Sequence, residues 1–346
     1  MVKKQLNTGV IGFGLSGKVF HAPFLHTHPG FNLKKIVERN STESKNIYPE
    51  LEVVSDYKNL IKDETLDLIA ICTPNTLHFS MVKECLLAGK HVVVEKPFTP
   101  TSKEADELIK ISEEKERKIF VYHNRRWDGD FLSIKKILKD NLLGDLYEYE
   151  VHFDRFTPDL DQNWRDKNIP GGGILYDLGA HLIDQALNLF GYPDKLNSNI
   201  QAQRANSPVD DYFKIELEYP NLKVVLTAGM MVKDLGPRFI LKGSKGTFTK
   251  YGIDPQEDAL KKGLMPNTQN WGEEKKKDWG IIDIIIEDEQ GNYQIETLPG
   301  NYMGFYDNVY DVIINNEKIM VKPEEARNVI KIIELAFKKN ITKLQL

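Results

Sequence analysis

Cysteine is nearly absent: the 346-residue chain carries only Cys72 and Cys85. Two thiols so placed exclude a disulfide framework and a zinc cluster. Long apolar runs are also missing, and nothing approaches the ~18 consecutive apolar residues of a membrane span. Val2-Lys3-Lys4 leads straight into an apolar run, with no signal-peptide core or cleavage site. A soluble cytoplasmic protein with no membrane partner is therefore expected. Basic charge is in short supply too. The net charge is −5 and no basic stripe stands out, which leaves a nucleic-acid partner without electrostatic support. Lys275-Lys276-Lys277 follows Glu273-Glu274 and reads as a mixed solvated loop.

What the chain does have is two textures. Up to about Tyr122, apolar runs at 6–11, 33–38, 68–71, 91–94 and 119–121 alternate with amphipathic runs at 16–26, 76–87 and 102–116. Several of the short runs are apolar on consecutive residues, as in strands buried on both faces. Repeated β-α alternation predicts a parallel sheet with right-handed crossovers. From His123 on, a helix at 131–139, a strand at 146–155 and a Gly-rich turn leading into a helix (171–189) are followed by strands at 200–204, 213–219, 222–231, 239–242 and 247–250. Strands at hairpin spacing predict an antiparallel sheet. Residues 252–300 read as loop-rich, and a last helix starts at Pro323-Glu324-Glu325. The fold class is α/β: a dinucleotide-binding Rossmann domain at 1–122, a second α/β domain at 123–322, and a C-terminal helix at 323–346.

The first strand ends in Gly12-Phe13-Gly14-Leu15-Ser16-Gly17, a complete G-x-G-x-x-G. Gly12 permits the tight turn, Gly14 lets a pyrophosphate approach the backbone, and Gly17 lets helix and strand pack closely. The helix N-terminus then offers N–H groups and a positive dipole to phosphates. Glu38 ends the second strand about 20 residues on, where a carboxylate accepts hydrogen bonds from the adenosine ribose. Arg39 follows it. The carboxylate repels a 2′-phosphate and favours NAD, whereas the guanidinium pairs with one and favours NADP. The charge argument leans slightly to NAD and leaves both cofactors open.

Hydride exchange with an alcohol also needs a base for the hydroxyl proton and a group to hold the oxygen. Lys96, in Glu95-Lys96-Pro97, follows the strand at 91–94, and ligands of open parallel sheets sit beyond the carboxyl ends of the strands. The second source is Gly171-Gly172-Gly173-Ile174-Leu175-Tyr176-Asp177-Leu178-Gly179-Ala180-His181. With a helix from Leu175, Asp177 and His181 lie at i and i+4 on one face. Asp184 lies one turn further on, either orienting His181 or solvated.

These residues resemble the glucose–fructose oxidoreductase/inositol dehydrogenase (Gfo/Idh/MocA) family. The likeness is carried by the glycine turn, Thr73-Pro74-Asn75 with His78, Glu95-Lys96-Pro97, and Gly173…Asp177-x-Gly179-x-His181. Within the family the chain is most similar to the NADP-type scyllo-inositol dehydrogenase subgroup. That similarity rests on Gly14-Leu15-Ser16-Gly17-Lys18-Val19-Phe20-His21, Tyr122-His123-Asn124-Arg125-Arg126-Trp127-Asp128, Leu175-Tyr176-Asp177-Leu178-Gly179 and Tyr251-Gly252-Ile253-Asp254.

The resemblance implies a second domain with an open, mostly antiparallel sheet whose exposed face joins copies into a homodimer or homotetramer. It implies Lys96, Asp177 and His181 as catalytic residues, with His181 as general base and Asp177 on a neighbouring hydroxyl. It implies a cis Lys96–Pro97 bond. Thr73, Pro74, Asn75 and His78 then line the nicotinamide and its ribose, with Glu95 and Lys96 beside them, and Asn124 and Arg125 border the cleft. Arg155, Trp164 and Arg165 reach towards substrate, and Tyr302 and Tyr306, ahead of a helix, face the cleft. NADP-using members of the subgroup carry a neutral residue where Glu38 stands, and this chain departs from that pattern.

The function expected is hydride transfer between NAD or NADP and a hydroxyl or keto carbon of a cyclic polyol or sugar. Two alternatives share the fold: an NAD-dependent glycosidase working through transient oxidation, and a non-catalytic dinucleotide sensor. A sensor has no need of Lys96, Asp177 and His181 together.

Overall fold

A computed structural model describes residues 4–160, 166–286 and 289–342. The chain falls into two compact units. The first comprises Met1–Asn124, Gln256–Trp271 and Asn301–Arg327, and the second Arg125–Pro255, Gly272–Gly300 and Asn328–Leu346.

The first unit is built on six parallel strands: β1 (Leu6–Ile11), β2 (Phe31–Val37), β3 (Glu52–Val54), β4 (Leu68–Ile71), β5 (His91–Val94) and β6 (Ile119–Val121). Their order is β3-β2-β1-β4-β5-β6. The order reverses between β1 and β4, which opens a crevice at their carboxyl ends where dinucleotides bind. The apolar runs of β4, β5 and β6 are almost wholly buried, as their unbroken hydrophobicity predicts. The edge strand β3 was not read from sequence, because its residues are exposed or half-buried and form no long apolar run. The helix Ser102–Glu114 starts on a full capping box, with Thr101 and Glu104 each accepting from the other's backbone N–H.

The first unit also recruits chain from beyond residue 122, which corrects the expected domain division. The helix Met303–Ile314 buries Phe305, Tyr306, Val309 and Tyr310. Tyr306 stacks on Phe24, and Phe305 meets Tyr122 edge-on at 4.8 Å. These aromatic contacts bind residues 301–327 to the nucleotide half.

The second unit holds an eight-stranded sheet: β7 (Leu146–His152), β8 (Lys195–Gln201), β9 (Tyr212–Glu218), β10 (Lys223–Gly229), β11 (Phe239–Gly243), β12 (Gly246–Lys250), β13 (Gly280–Ile286) and β14 (Glu289–Ile295). Their order is β14-β13-β12-β11-β7-β10-β9-β8. Among the described residues of this sheet, only β7 and β10 pair in parallel. β8 and β9 alternate buried with exposed or half-buried residues, the mark of a sheet covered on one face. Ile183, Ala186, Ile330 and Ile333 of the helices Ala180–Phe190 and Pro323–Thr342 join Ile215, Leu226 and Leu241 of the sheet in one core. Tyr147 and Tyr293 stand exposed.

One expectation is corrected here and one is refined. The strand expected at 200–204 is β8, which lies earlier, and Arg204 is instead buried against Asp166 and Asp211. Asn197, Ser198 and Asn199 disguised β8, although Leu196, Ser198 and Ile200 share its buried face. The region 252–300 is loop-rich, as expected, but also holds β13, β14 and the helix Gln256–Lys261, which the sequence did not reveal. Among the described residues, no helix is long and apolar enough to cross a membrane.

Candidate active site

In the first unit the glycine turn sits where the strand order reverses. Gly12 has φ +94°, and a Cβ there would meet the Cys72 carbonyl oxygen at 2.9 Å. A Cβ on Gly17 would stand 2.0 Å from the Gly12 carbonyl oxygen, so the first helical turn packs on the glycine loop only without a side chain. At Gly14 the same construction meets nothing within 4 Å. Open space over an exposed backbone at that position fits the approach of a pyrophosphate. Phe13 is buried and meets Tyr48 edge-on, while Leu15 is exposed.

Glu38 does something the sequence did not announce. Its Oε2 accepts from Ser41 Oγ and from Glu43 N (3.0 Å), and its Oε1 accepts from Ser44 Oγ and Ser44 N (2.9 Å). Burial would raise its pKa, but these bonds outweigh burial and hold the carboxyl below its usual range. A carboxylate offers about four lone-pair sites, and four donors of its own loop take them. A ribose hydroxyl would have to displace Ser41 or Ser44. Arg39 beside it is exposed.

The motifs after β4 and β5 are tied together by His78. Its Nδ1 lies 2.9 Å from the Pro97 carbonyl and its Nε2 3.0 Å from the Thr73 carbonyl. The ring is buried, and burial pushes its pKa down. His78 is a brace between the two loops, and Asn75 is buried beside it in sequence. The Lys96–Pro97 bond is cis, and Lys96 is half-buried. Glu95 accepts from Ser16 Oγ, from the Lys96 backbone N–H at 3.1 Å, and lies 3.0 Å from His21 Nε2. Tyr302 and Tyr306 are fully buried in this unit, which corrects the expectation that they face a cleft. Asn124 is buried.

In the second unit, Asp177 belongs to a π-helical turn, Leu175–Gly179, which runs into the α-helix Ala180–Phe190 that carries His181. A π-turn winds i→i+5 rather than i→i+4, so the α-helical face expected for this pair does not apply; such turns gather at functional sites. Asp177 is half-buried and His181 is buried. The turn is held at its start by Asp210, whose Oδ2 accepts from Leu175 N at 2.8 Å and whose carbonyl accepts from Ile174 N at 3.0 Å. Gly173, at φ +86°, makes room for it, because a Cβ there would stand 1.9 Å from Asp210 Oδ1. Burial raises the Asp210 pKa to about 6.

Further along the same helix, Asp184 is neither solvated nor turned only to His181, because both its oxygens bind Arg126. Gln185 donates to the Arg125 carbonyl at 2.9 Å, and Arg125 pairs with Asp128 at 3.0 Å. Arg155 is exposed, its guanidinium 5.3 Å from the centre of the Phe153 ring. Trp164 and Arg165 lie outside the described residues. Sequence reasoning missed Arg126, Asp210 and the bonding of His21. The only hints were two adjacent arginines, an Asp-Asp pair and one histidine in a stretch of likeness.

Two family descriptions match the chain. One, an oxidoreductase family with an NAD-binding Rossmann fold, covers residues 6–123, and the other, the C-terminal alpha/beta domain of the same family, covers 135–343. The chain belongs to the Gfo/Idh/MocA oxidoreductase family. It is an NAD(P)-dependent dehydrogenase with a Rossmann domain followed by an α/β domain. It is 39% identical to a scyllo-inositol 2-dehydrogenase (NADP+) of Bacillus subtilis, over 96% of this chain and 92% of that protein. An oxidoreductase structure from Bacillus subtilis superposes with TM-score 0.96 at 38% identity, covering 98% of this chain and 97% of the other. A levoglucosan dehydrogenase in complex with NADH and levoglucosan shares the fold, with TM-score 0.81 at 19% identity, covering 98% of each chain.

Proposed function

We propose that this family member reversibly oxidises a hydroxyl of a cyclic polyol or sugar, with a scyllo-inositol/inosose-like ring as the first candidate and NADP as the preferred cofactor. The nicotinamide, when bound, accepts or returns the hydride. The Gly12–Gly17 turn, with Phe13, Leu15 and Ser16, holds the pyrophosphate. Thr73, Pro74, Asn75, Glu95 and Asn124 border the nicotinamide end, and His78 braces it. Lys96 and His181 hold and move the proton at the substrate oxygen, with His181 as general base. Asp177 binds a neighbouring hydroxyl and orients the ring, and Arg155 serves as a further substrate contact.

The observation that carries this reading is the presence, in one family member, of the whole acid–base set. Lys96 follows a carboxylate held by three groups, and Asp177 and His181 stand at a helix start anchored by Asp210 and Asp184. The 39% likeness to a scyllo-inositol dehydrogenase supports the polyol class. NADP is favoured over the charge argument from sequence because the Glu38 carboxylate is occupied by Ser41, Ser44 and Glu43 while Arg39 stays exposed. We also propose that copies associate through the open sheet face carrying Glu150, Ile240, Thr249 and Ile281, which light scattering on a sizing column tests.

The test is a panel of inositols, inososes and aldoses assayed with both cofactors at the nicotinamide absorbance band. Reduction of NADP by a cyclic polyol is expected. Cleavage of a glycoside with no net cofactor turnover would replace this reading by the glycosidase, and cofactor binding with no turnover on any substrate would favour a sensor.

A further inference from the structure

In the second unit the dipeptide Asp210-Asp211 ties together two segments that the proposed substrate contacts occupy. Asp210 holds the start of the π-turn that carries Asp177, through Oδ2 to Leu175 N and through its carbonyl to Ile174 N. Asp211 is fully buried and reaches the other segment. Its carbonyl accepts from Met230 N at 3.0 Å, and the Met230 carbonyl accepts from Thr157 N at 2.8 Å. Just before Thr157, the backbone of Arg155 is pinned on both sides. Its N–H donates to the Gly229 carbonyl at 2.8 Å, and its carbonyl accepts from Val232 N at 3.0 Å.

The Asp211 side chain adds a second route, through Arg204. Its Oδ2 accepts from the Arg204 backbone N–H at 3.0 Å and from Arg204 Nε at 3.1 Å. The other two nitrogens of the guanidinium reach the chain beyond Arg155: Nη1 donates to the Asp159 carbonyl at 3.2 Å, and Nη2 to Asp166 Oδ1 at 2.8 Å. The Arg204 side chain is only 2% exposed. A buried ion pair is a weak means of stabilising a fold, because apolar residues of the same volume often do as well or better. What the guanidinium supplies is direction. Its planar, rigid fork sets Asp211, Asp159 and Asp166 at fixed angles to one another, which a lysine ammonium on a flexible stem does not.

We propose that Arg204 is a positioning residue for substrate selection: gripped by Asp211, it locks the chain at Asp159 and Asp166, and with it the segment that carries Arg155, at a fixed spacing from the turn that carries Asp177. The proposal rests on the assignment of Asp177 and Arg155 to the polyol. Ring epimers differ only in the direction of one hydroxyl. Two contacts on separate segments tell them apart only while the spacing of those segments is held, and a displacement of about 1 Å far from the chemistry is enough to cost on the order of 10²-fold. Support of this kind belongs to side chains behind the ones that touch the ligand. The bonds through Asp210, Asp211 and Arg204 do not pass through Lys96 or the glycine turn, so cofactor binding is expected to be indifferent to them.

The experiment compares the full-length parent with Arg204→Lys, which keeps the charge and loses the fork, and with Asp166→Ala, which releases one arm and leaves the Arg204–Asp211 grip intact. Steady-state kinetics are measured on the best cyclic polyol of the panel and on its ring epimers. Both variants are expected to raise KM for that polyol and to shrink the kcat/KM ratio between it and its epimers by about tenfold, the order of one misplaced hydrogen bond, with kcat and the Kd for NADPH within a few-fold of the parent. Hydrogen exchange, read by mass spectrometry on peptides spanning 153–160 and 172–180, reports the link without substrate. Exchange is expected to quicken at 153–160 in both variants and at 172–180 in Arg204→Lys. A lower Tm or faster exchange with the epimer ratio unchanged would make Arg204 a structural residue only and overturn the proposal, as would no change in either readout. If the parent turns over no polyol, the polyol reading falls, and unchanged exchange in the two variants would then sink the link as well.

Discussion

Asp184 grips Arg126 through two parallel hydrogen bonds, from Nε at 2.8 Å and from Nη2 at 2.7 Å, with both side chains almost wholly buried. This fork fixes the helix that carries His181 one turn beyond the imidazole. Removing one partner of such a pair strands the other charge, at a cost of about 3–5 kcal/mol. Asp184→Ala is therefore expected to lower Tm sharply in thermal unfolding. A Tm within a degree or so of the parent would show that the pair does not anchor the helix.

The cap formed by Asp210 leads to a pH-dependent prediction. Its pKa is raised from 3.8 to about 6, with burial the first cause. A carboxyl that binds its proton more tightly in the folded state contributes stability that is full below the unfolded value and lost as pH rises through the folded one. Asp210→Asn keeps an acceptor for Leu175 N and has no charge to bury. It is expected to be more stable than the parent above about pH 6, with the gain vanishing towards pH 4. Denaturant unfolding at both ends of that window checks this, and a loss of stability at pH 8 would show that the charged cap is the better one.

Cofactor choice turns on Glu38 and Arg39. Arg39→Ala is expected to weaken NADPH binding by roughly tenfold to a hundredfold, the worth of a charge-assisted bond of ~1.5–3 kcal/mol, and to leave NADH binding nearly unchanged. Glu38→Gln is expected to lower Tm, through weaker bonds to Ser41 and Ser44, with little change in the ratio of the two affinities. Fluorescence titration of both reduced cofactors measures this. A large swing of the ratio in Glu38→Gln would mean that the carboxylate reads the ribose after all.

The nucleotide half was legible because burial on both faces leaves unbroken apolar runs such as Leu68–Ile71 and His91–Val94. The glycine turn was legible because only glycine tolerates the φ of Gly12 and the close approach at Gly17. Polar edge strands carry no such signal. β14 reads Glu-Gln-Gly-Asn-Tyr-Gln-Ile, and its partner β13 lay hidden in the same stretch. The π-turn under Asp177 was equally hidden, because one extra residue per turn leaves the apolar spacing nearly unchanged. Glu38 was misjudged for a different reason. The motif predicts where a carboxylate stands, but Ser41 and Ser44, three and six residues on, decide what it binds. Tyr302 and Tyr306 seemed free to face a ligand until aromatic packing of their helix claimed them.

The central claim is that Lys96 and His181 handle the substrate proton and are not needed to hold the dinucleotide. The most direct measurement pairs cofactor titration with turnover on the best polyol of the panel, for the parent, Lys96→Met and His181→Ala. General acid–base groups contribute about 10²–10⁴-fold, so kcat is predicted to fall by that factor in each variant while the Kd for NADPH stays within a few-fold of the parent. Undiminished kcat in both variants, with cofactor still bound, would contradict the account.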